Sequence, residues 1–138
     1  MNPSKKIIGT DAMKARLSTL WIFVMVNILA ADIFSFMLPG TLSDAPSAVT
    51  QAMMLAFAAV LEIPIAIIIL SRILKYRANR LANIIAGVIT ILFVIAGGSL
   101  TLHYIFFATV EVAAMLLMIR YAWKWAGPAA TADHESVL

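Results

Sequence analysis

Apolar residues fall into four long blocks along the chain, and short polar or Gly-containing segments separate them. A helix that crosses the ~30 Å hydrocarbon core of a bilayer needs ~20 predominantly apolar residues. The last two blocks together are too long for one span, and "GGSLTLH" supplies a turn between them. The pattern therefore predicts four membrane-spanning helices, at about residues 17–38, 50–74, 81–99 and 104–123.

The composition indicates that lipid is the main solvent of this chain. Of its 138 residues, 63% are hydrophobic and 12% are charged, whereas a soluble domain is about half apolar and about a quarter charged. A soluble protein of this size could not enclose so much apolar surface in one core. We therefore expect an all-α integral membrane four-helix bundle that forms a single domain over residues 1–138, with mobile polar ends at residues 1–12 and 126–138.

The basic residues lie on one side of the predicted membrane domain. All ten Lys and Arg residues precede the first span, surround the connection between the second and third spans, or follow the fourth. Because short cytoplasmic loops retain Lys and Arg, we predict a multi-pass protein of the cell (inner) membrane with both termini in the cytoplasm. Aromatic residues near the span ends are expected to anchor at the interfaces: Trp21, Tyr121, Trp123 and Trp125.

Each predicted span carries one polar side chain near its middle. Counted from the nearest Lys or Arg at ~1.5 Å per helical residue, these side chains lie ~13–16 Å from the basic side. They are Asn27, Glu62, Thr90 and Glu111. A further acid, Asp32, lies closer to the other end of the first span.

The helical period gathers polar and small residues on shared faces. Because successive residues turn by ~100°, such residues share one side of the second span (Gln51, Ala58, Glu62) and of the fourth (Tyr104, Ala108, Glu111, Met115). Asn83, Thr90 and Thr101 form a stripe on the third span, with the small residues Ala86, Gly87 and Gly97 beside it. Small residues let membrane helices approach closely, and polar residues bond across their interfaces. We therefore expect a bundle with a narrow polar seam.

Carboxylates at mid-depth are the candidate chemistry of this sequence. An ionised carboxylate at the bilayer centre costs ~2.5–3.5 kcal/mol on insertion scales, and none of the spans contains a Lys or Arg. Such an acid must hold a proton or face water. If Glu62 and Glu111 are close together, they form a proton-binding device that could exchange a proton for a cation. The candidate proton- or ligand-binding residues are Asn27, Asp32, Glu62, Thr90, Tyr104 and Glu111.

Three functions agree with these features. The first is proton-coupled transport or binding of a cation or lipophilic small molecule, carried out by a homodimer. The second is a membrane-embedded acid/base enzyme or binder for a lipid, quinone or isoprenoid, with Glu62 and Glu111 as acid and base and Tyr104 assisting. The third is a structural or accessory subunit, in which a protonated Glu62 bonds to Asn27 or Thr90 and fixes the helix register.

Several function classes receive no support from the sequence. Standard catalytic motifs are missing, which favours a protein that is not an enzyme. Because the chain has no Cys, disulfides and thiolate chemistry are excluded. Two acids with one Tyr and one His make a poor metal site, so no metal and no cofactor is predicted. The expected partners are the lipid bilayer, a second copy and a small ligand, and no nucleic acid.

The segments "EIPIAIIILSRILKYRANRLANIIAG" and "LHYIFFATVEV" resemble an uncharacterised family of small bacterial four-span membrane proteins, known only as a domain of unknown function. The resemblance extends over most of the chain. It implies four membrane helices and no known activity. The architecture alone is also similar to that of small multidrug-resistance transporters. In those proteins the acid is in the first span, whereas the first span here carries Asn27 and Asp32.

Overall fold

The computed structural model describes residues 3–38 and 50–125, and the described chain is helical apart from short connections. It contains α1 (Pro3–Met37), α2 (Gln51–Ile73), α3 (Tyr76–Ala96) and α4 (Leu102–Lys124). Each of the four is long and apolar enough to cross a membrane. The predicted all-α architecture with four membrane helices is therefore confirmed.

The first helix is longer than its predicted span. It starts at Pro3, so residues 3–12, which we expected to be part of a mobile polar end, are helical. Hydropathy marks only the part of a helix that lies in lipid, whereas Lys5, Lys6 and Ala12 favour helix without lipid. Proline is also well suited to the first helical position. The second predicted mobile end, residues 126–138, lies outside the described residues.

Short connections hold the helices antiparallel. Thr50 caps the start of α2, where its hydroxyl oxygen accepts a hydrogen bond from the Met53 N–H at 3.2 Å. Only Leu74 and Lys75, both extended, connect α2 to α3. A connection this short places the two helices side by side in opposite directions.

The four helices form a ring in which α1 and α3 each pack on both α2 and α4. We call one end of this ring the basic end, because it contains the start of α1, the α2–α3 connection and the end of α4, with all the Lys and Arg residues. The opposite end, with the end of α1, the start of α2 and the α3–α4 connection, is the non-basic end.

The best-packed core lies toward the basic end. Its fully buried side chains include Leu17, Trp21, Met115, Met118 and Ala122. The expectation that Trp21 anchors at the interface is wrong, because its ring is fully buried among the helices. Its depth suits an interfacial residue, but Trp21 lies four residues after Leu17 and so shares its inward face.

Two other Trp side chains near the basic end differ in their exposure. Trp125 is buried, and the Tyr76 ring contacts it edge-on at 5.0 Å between centroids. Trp123 instead is exposed, with the Arg80 guanidinium 5.3 Å from its ring. The predicted anchoring position therefore fits Trp123 and does not fit Trp125.

A buried polar network connects three helices toward the basic end. Asn83 Oδ1 accepts hydrogen bonds from Trp21 Nε1 at 2.8 Å and from Ser71 Oγ at 3.2 Å. Asn83 Nδ2 donates to Asn79 Oδ1 at 2.6 Å, and Asn79 Nδ2 donates to the Ser71 carbonyl at 2.6 Å. In the same region, Ser18 Oγ donates to a carbonyl of α2 at 2.9 Å. Such bonds fix the helices in one register where lipid offers no alternative partner.

The expected close approach of α3 to a neighbour is confirmed at Gly87. A Cβ atom at this position would lie 3.0 Å from Ile119 Cγ1 of α4. A side chain at this position would require Ile119 to shift, whereas glycine allows the close approach, as small residues do between membrane helices.

Candidate functional site

A cavity of about 480 Å³ lies between the four helices toward the non-basic end. This volume is within the range of small-molecule binding sites. The lining residues are Ile28, Ala31, Asp32, Met54, Phe57, Ala58, Leu61, Phe93, Val94, Gly97, Tyr104 and Glu111. Met54 and Tyr104 lie within three residues of the starts of α2 and α4. The cavity therefore extends from mid-depth to the helix termini at the non-basic end.

Glu111 supplies the deepest polar group of this cavity. Its side chain is 3% exposed, and its Oε1 atom has no hydrogen-bond partner within residues 9–38 and 50–125. Nearly all buried polar atoms in proteins have a partner, because an unsatisfied one costs the full desolvation penalty of the group. This carboxyl oxygen is therefore placed to bind something that enters the cavity.

Two further polar side chains join Glu111 in the cavity. Asp32 comes from α1, and its carboxyl group is close enough to Glu111 for an electrostatic interaction. Tyr104 comes from the first turn of α4, and its hydroxyl donates a hydrogen bond to the Val94 carbonyl at 2.8 Å. The structure thus brings together three of the six residues named from the sequence.

Glu62 lies on a different surface. It is exposed on α2 and does not line the cavity, although the preceding residue, Leu61, does. The sequence analysis placed Ala58 and Glu62 on the same side of this helix, but only Ala58 lines the cavity. Glu62 follows Leu61 by one residue, which corresponds to ~100° of rotation about the helix axis. This rotation is enough to turn the Glu62 side chain away from the cavity. The acid that accompanies Glu111 is therefore Asp32.

The two uncharged candidates also lie outside the cavity lining. Asn27 is half-buried, and its Nδ2 donates to the Phe23 carbonyl of its own helix at 2.8 Å. Thr90 is buried on the inward face of α3. Both positions agree with a packing role, which the sequence analysis had kept as an alternative.

Comparison with known proteins assigns the chain to a protein family. Residues 5–131 match the group described as "Family of unknown function (DUF6326)". The chain belongs to this family. The resemblance to an uncharacterised four-span family is thereby confirmed. No curated protein and no solved structure matches the chain.

Apolar and aromatic residues make up most of the DUF6326 cavity, and the sequence analysis named none of them as site residues. On α2 they are Met54, Phe57 and Leu61, and the Phe57 ring lies 6.3 Å from that of Phe93 on α3. The spacing of three and four residues along α2 marks one helical face. That signal was available in the sequence, but apolar residues occur on every side of α2, so it did not stand out.

A shallower groove of about 560 Å³ lies beside the cavity, along the end of α3 and the first half of α4. Val94 and Tyr104 line both the groove and the cavity. The Tyr104 side chain, bonded to the Val94 carbonyl, therefore separates the DUF6326 cavity from the outer surface of the bundle. Over the described ranges, no three His, Asp or Glu residues come together as metal ligands.

Proposed function

We propose that this protein binds a small lipophilic cation in the cavity and exchanges it for a proton on Glu111, as a proton-coupled transporter of the cell (inner) membrane that functions as a homodimer. The observation that carries the proposal is the buried Oε1 of Glu111, which has no hydrogen-bond partner among the described residues and lies beside a cavity of ligand size. Both termini are assigned to the cytoplasm on the distribution of Lys and Arg.

The cavity lining favours a cation with an apolar body. Its two carboxyl groups, Asp32 and Glu111, provide negative charge, and the described lining includes no Lys or Arg. Phe57 and Phe93 present aromatic rings, whose faces attract cations. An anion would find neither a counter-charge nor enough donors here, whereas a neutral ligand would leave the carboxyl groups without a charge partner.

Proton exchange follows from the position of the two acids. Glu111 holds a proton while no cation is bound, because an isolated ionised carboxylate in apolar surroundings is costly. An entering cation stabilises the ionised form, and the proton leaves. Asp32 lies nearer the non-basic end, five residues before the end of α1, and receives the proton on its way out.

Transport also requires that the cavity open toward the basic end. Pro64, inside α2, lies one turn beyond the cavity residue Leu61. A proline leaves the carbonyl four residues earlier without its helical hydrogen bond and weakens the helix at that point. We propose that α2 bends there, which would move its cavity-lining half relative to the half that contacts the buried polar network.

Tetraphenylphosphonium, a permanently charged lipophilic cation, tests the proposal. Added to the purified protein in weakly buffered detergent, it should bind and release protons, and Glu111→Gln should abolish both effects. Tetraphenylborate has the same shape with a negative charge and should do neither. Glu62→Gln is the matched control and should behave as the wild type. Equal binding and proton release by wild type and Glu111→Gln would refute the proposal.

A second function is favoured by Tyr104. Because this side chain separates the cavity from the lateral groove, its movement would open the cavity to lipid. The protein would then bind or convert a neutral lipid, quinone or isoprenoid, with Glu111 and Asp32 as acid and base. In that case an uncharged isoprenoid alcohol should compete for the cavity, and tetraphenylphosphonium should not.

A further inference from the structure

Glu62 occupies the middle of an outward helix face. It lies eleven residues after Gln51 and eleven before Ile73, the two ends of α2. At ~1.5 Å per residue it is thus ~16 Å from either end of the helix, near the bilayer midplane. The side chain is exposed on the surface of the single chain. On the same face Leu55, Ile69 and Ile73 are exposed as well, so the carboxyl group lies in an otherwise apolar surface.

Two other polar side chains away from the helix ends, on α1 and α4, bond to their own helix. Asn27 Nδ2 donates to the Phe23 carbonyl at 2.8 Å, and Thr109 Oγ1 donates to the Ile105 carbonyl at 2.7 Å. Among the described residues, none makes a hydrogen bond with the Glu62 side chain. Lipid tails cannot supply one. Glu62 is therefore an outward polar group that is open to a partner from another molecule.

A second copy of this chain provides a matching partner. Two copies inserted in the same direction place Glu62 at the same depth, and a two-fold axis along the membrane normal can bring the two side chains together. A protonated carboxyl group both donates and accepts hydrogen bonds. Two protonated Glu62 side chains can therefore satisfy each other.

We infer that α2 forms the homodimer interface, with Glu62 of each copy hydrogen-bonded to that of the other at the two-fold axis. This inference rests on the homodimer of the proposed function and is independent of the ligand. Met54, Phe57 and Ala58 form part of the cavity wall, and they lie in a segment of α2, residues 51–59, that is exposed throughout in the single chain. A dimer through α2 would therefore pack a second chain against this wall of the cavity.

Single-cysteine cross-linking tests the interface directly, because the natural chain has no Cys to remove. Ile69→Cys lies on the Glu62 face of α2, and Leu81→Cys is exposed on α3 near the same end of the bundle. Oxidation in native membranes should produce a disulfide-linked dimer of Ile69→Cys, because a disulfide forms only when the two Cα atoms come within ~7 Å. Leu81→Cys should give no disulfide-linked dimer.

Substitution of Glu62 gives a second measurement. Gln retains a donor and an acceptor, so Glu62→Gln should dimerise like the wild type. Glu62→Leu should weaken dimerisation by roughly 3- to 30-fold, the range that corresponds to interhelical hydrogen bonds in membranes. Energy transfer between labelled copies diluted in liposomes measures this change. Thr109→Leu removes an outward hydroxyl on α4 and should have no effect.

Three results would overturn the inference: equal cross-linking at Ile69→Cys and Leu81→Cys, a cross-link from Ile69→Cys to a different protein, or equal dimerisation of Glu62→Leu and Glu62→Gln. Failure of the proposed cation site is separable from these results. Glu111→Gln combined with Ile69→Cys should still cross-link, because residue 111 lies inside the bundle.

Discussion

Toward the basic end, Asn83 bonds to Trp21, Ser71 and Asn79, whereas toward the non-basic end the Oε1 atom of Glu111 has no partner within the described ranges. Both groups are buried polar side chains in membrane helices of the same bundle. One lies in a packed core and the other lies beside a cavity. Hydrogen bonds within the protein therefore offset the desolvation penalty of Asn83, whereas none of the described residues offsets that of Glu111 Oε1.

The two regions differ in whether their polar groups contribute to stability or to ligand binding. A polar network whose members satisfy one another holds helices in a fixed arrangement. A buried polar atom without a partner lowers stability and is retained where it serves a function. On this comparison, substitutions toward the basic end should mainly change the free energy of unfolding, and substitutions in the cavity should mainly change ligand binding.

The largest expected effect on stability is that of Asn83→Leu. Asn83 takes part in four hydrogen bonds, and its removal leaves the indole N–H of Trp21 buried without a partner. We expect a loss of about 3 kcal/mol in the free energy of unfolding, measured by SDS titration in detergent micelles. Asn27→Leu, which removes an amide bonded only to its own helix, should cost far less. Similar losses for the two variants would contradict the comparison.

Glu111→Met should instead increase the free energy of unfolding. This change replaces an unsatisfied buried carboxyl group with an apolar side chain of similar length, so the free energy of unfolding should rise by about 1–2 kcal/mol. Binding of tetraphenylphosphonium should be lost in the same protein. A variant that is less stable than the wild type would indicate that Glu111 is a structural member of the core.

A smaller loss is expected for Tyr104→Phe. The hydroxyl group donates to the Val94 carbonyl, and its removal should lower the free energy of unfolding by about 1 kcal/mol. Tyr121→Phe is a suitable control, because the described residues make no hydrogen bond with the Tyr121 hydroxyl. If opening to lipid is the route of entry, Tyr104→Phe should also speed ligand exchange, which stopped-flow measurements would detect.

The smallest change in stability is expected for Phe57→Ala. The ring is 53% exposed and makes one aromatic contact, with Phe93, so its loss should cost about 0.5 kcal/mol. Affinity for tetraphenylphosphonium should nevertheless fall, since the ring lines the cavity. Phe106→Ala removes an exposed ring outside the cavity lining and should leave the affinity unchanged. Equal affinities of the two variants would argue against cation binding at this site.

Part of the candidate site could be predicted from the sequence. The mid-span position of Glu111 and its helical alignment with Tyr104 were sufficient to name both, and Asp32 was named from its place in the first span. The choice of Asp32, and not Glu62, as the neighbour of Glu111 could not be predicted. That choice depends on the rotation of α2 about its axis, which places Leu61 in the cavity lining and leaves Glu62, ~100° further round, on the exposed surface.

The sequence by itself determined that this chain has four helices long and apolar enough to cross a membrane, and where along each helix the polar groups lie, because length and hydropathy are properties of the chain read in one dimension. Only the tertiary structure decided which groups meet: Trp21 with Asn83 inside the bundle, Asp32 with Glu111 at the cavity, and Glu62 outward. In water, a polar face marks the outside of a helix. In lipid both faces are apolar, so helix rotation is fixed by packing and a few polar contacts between helices.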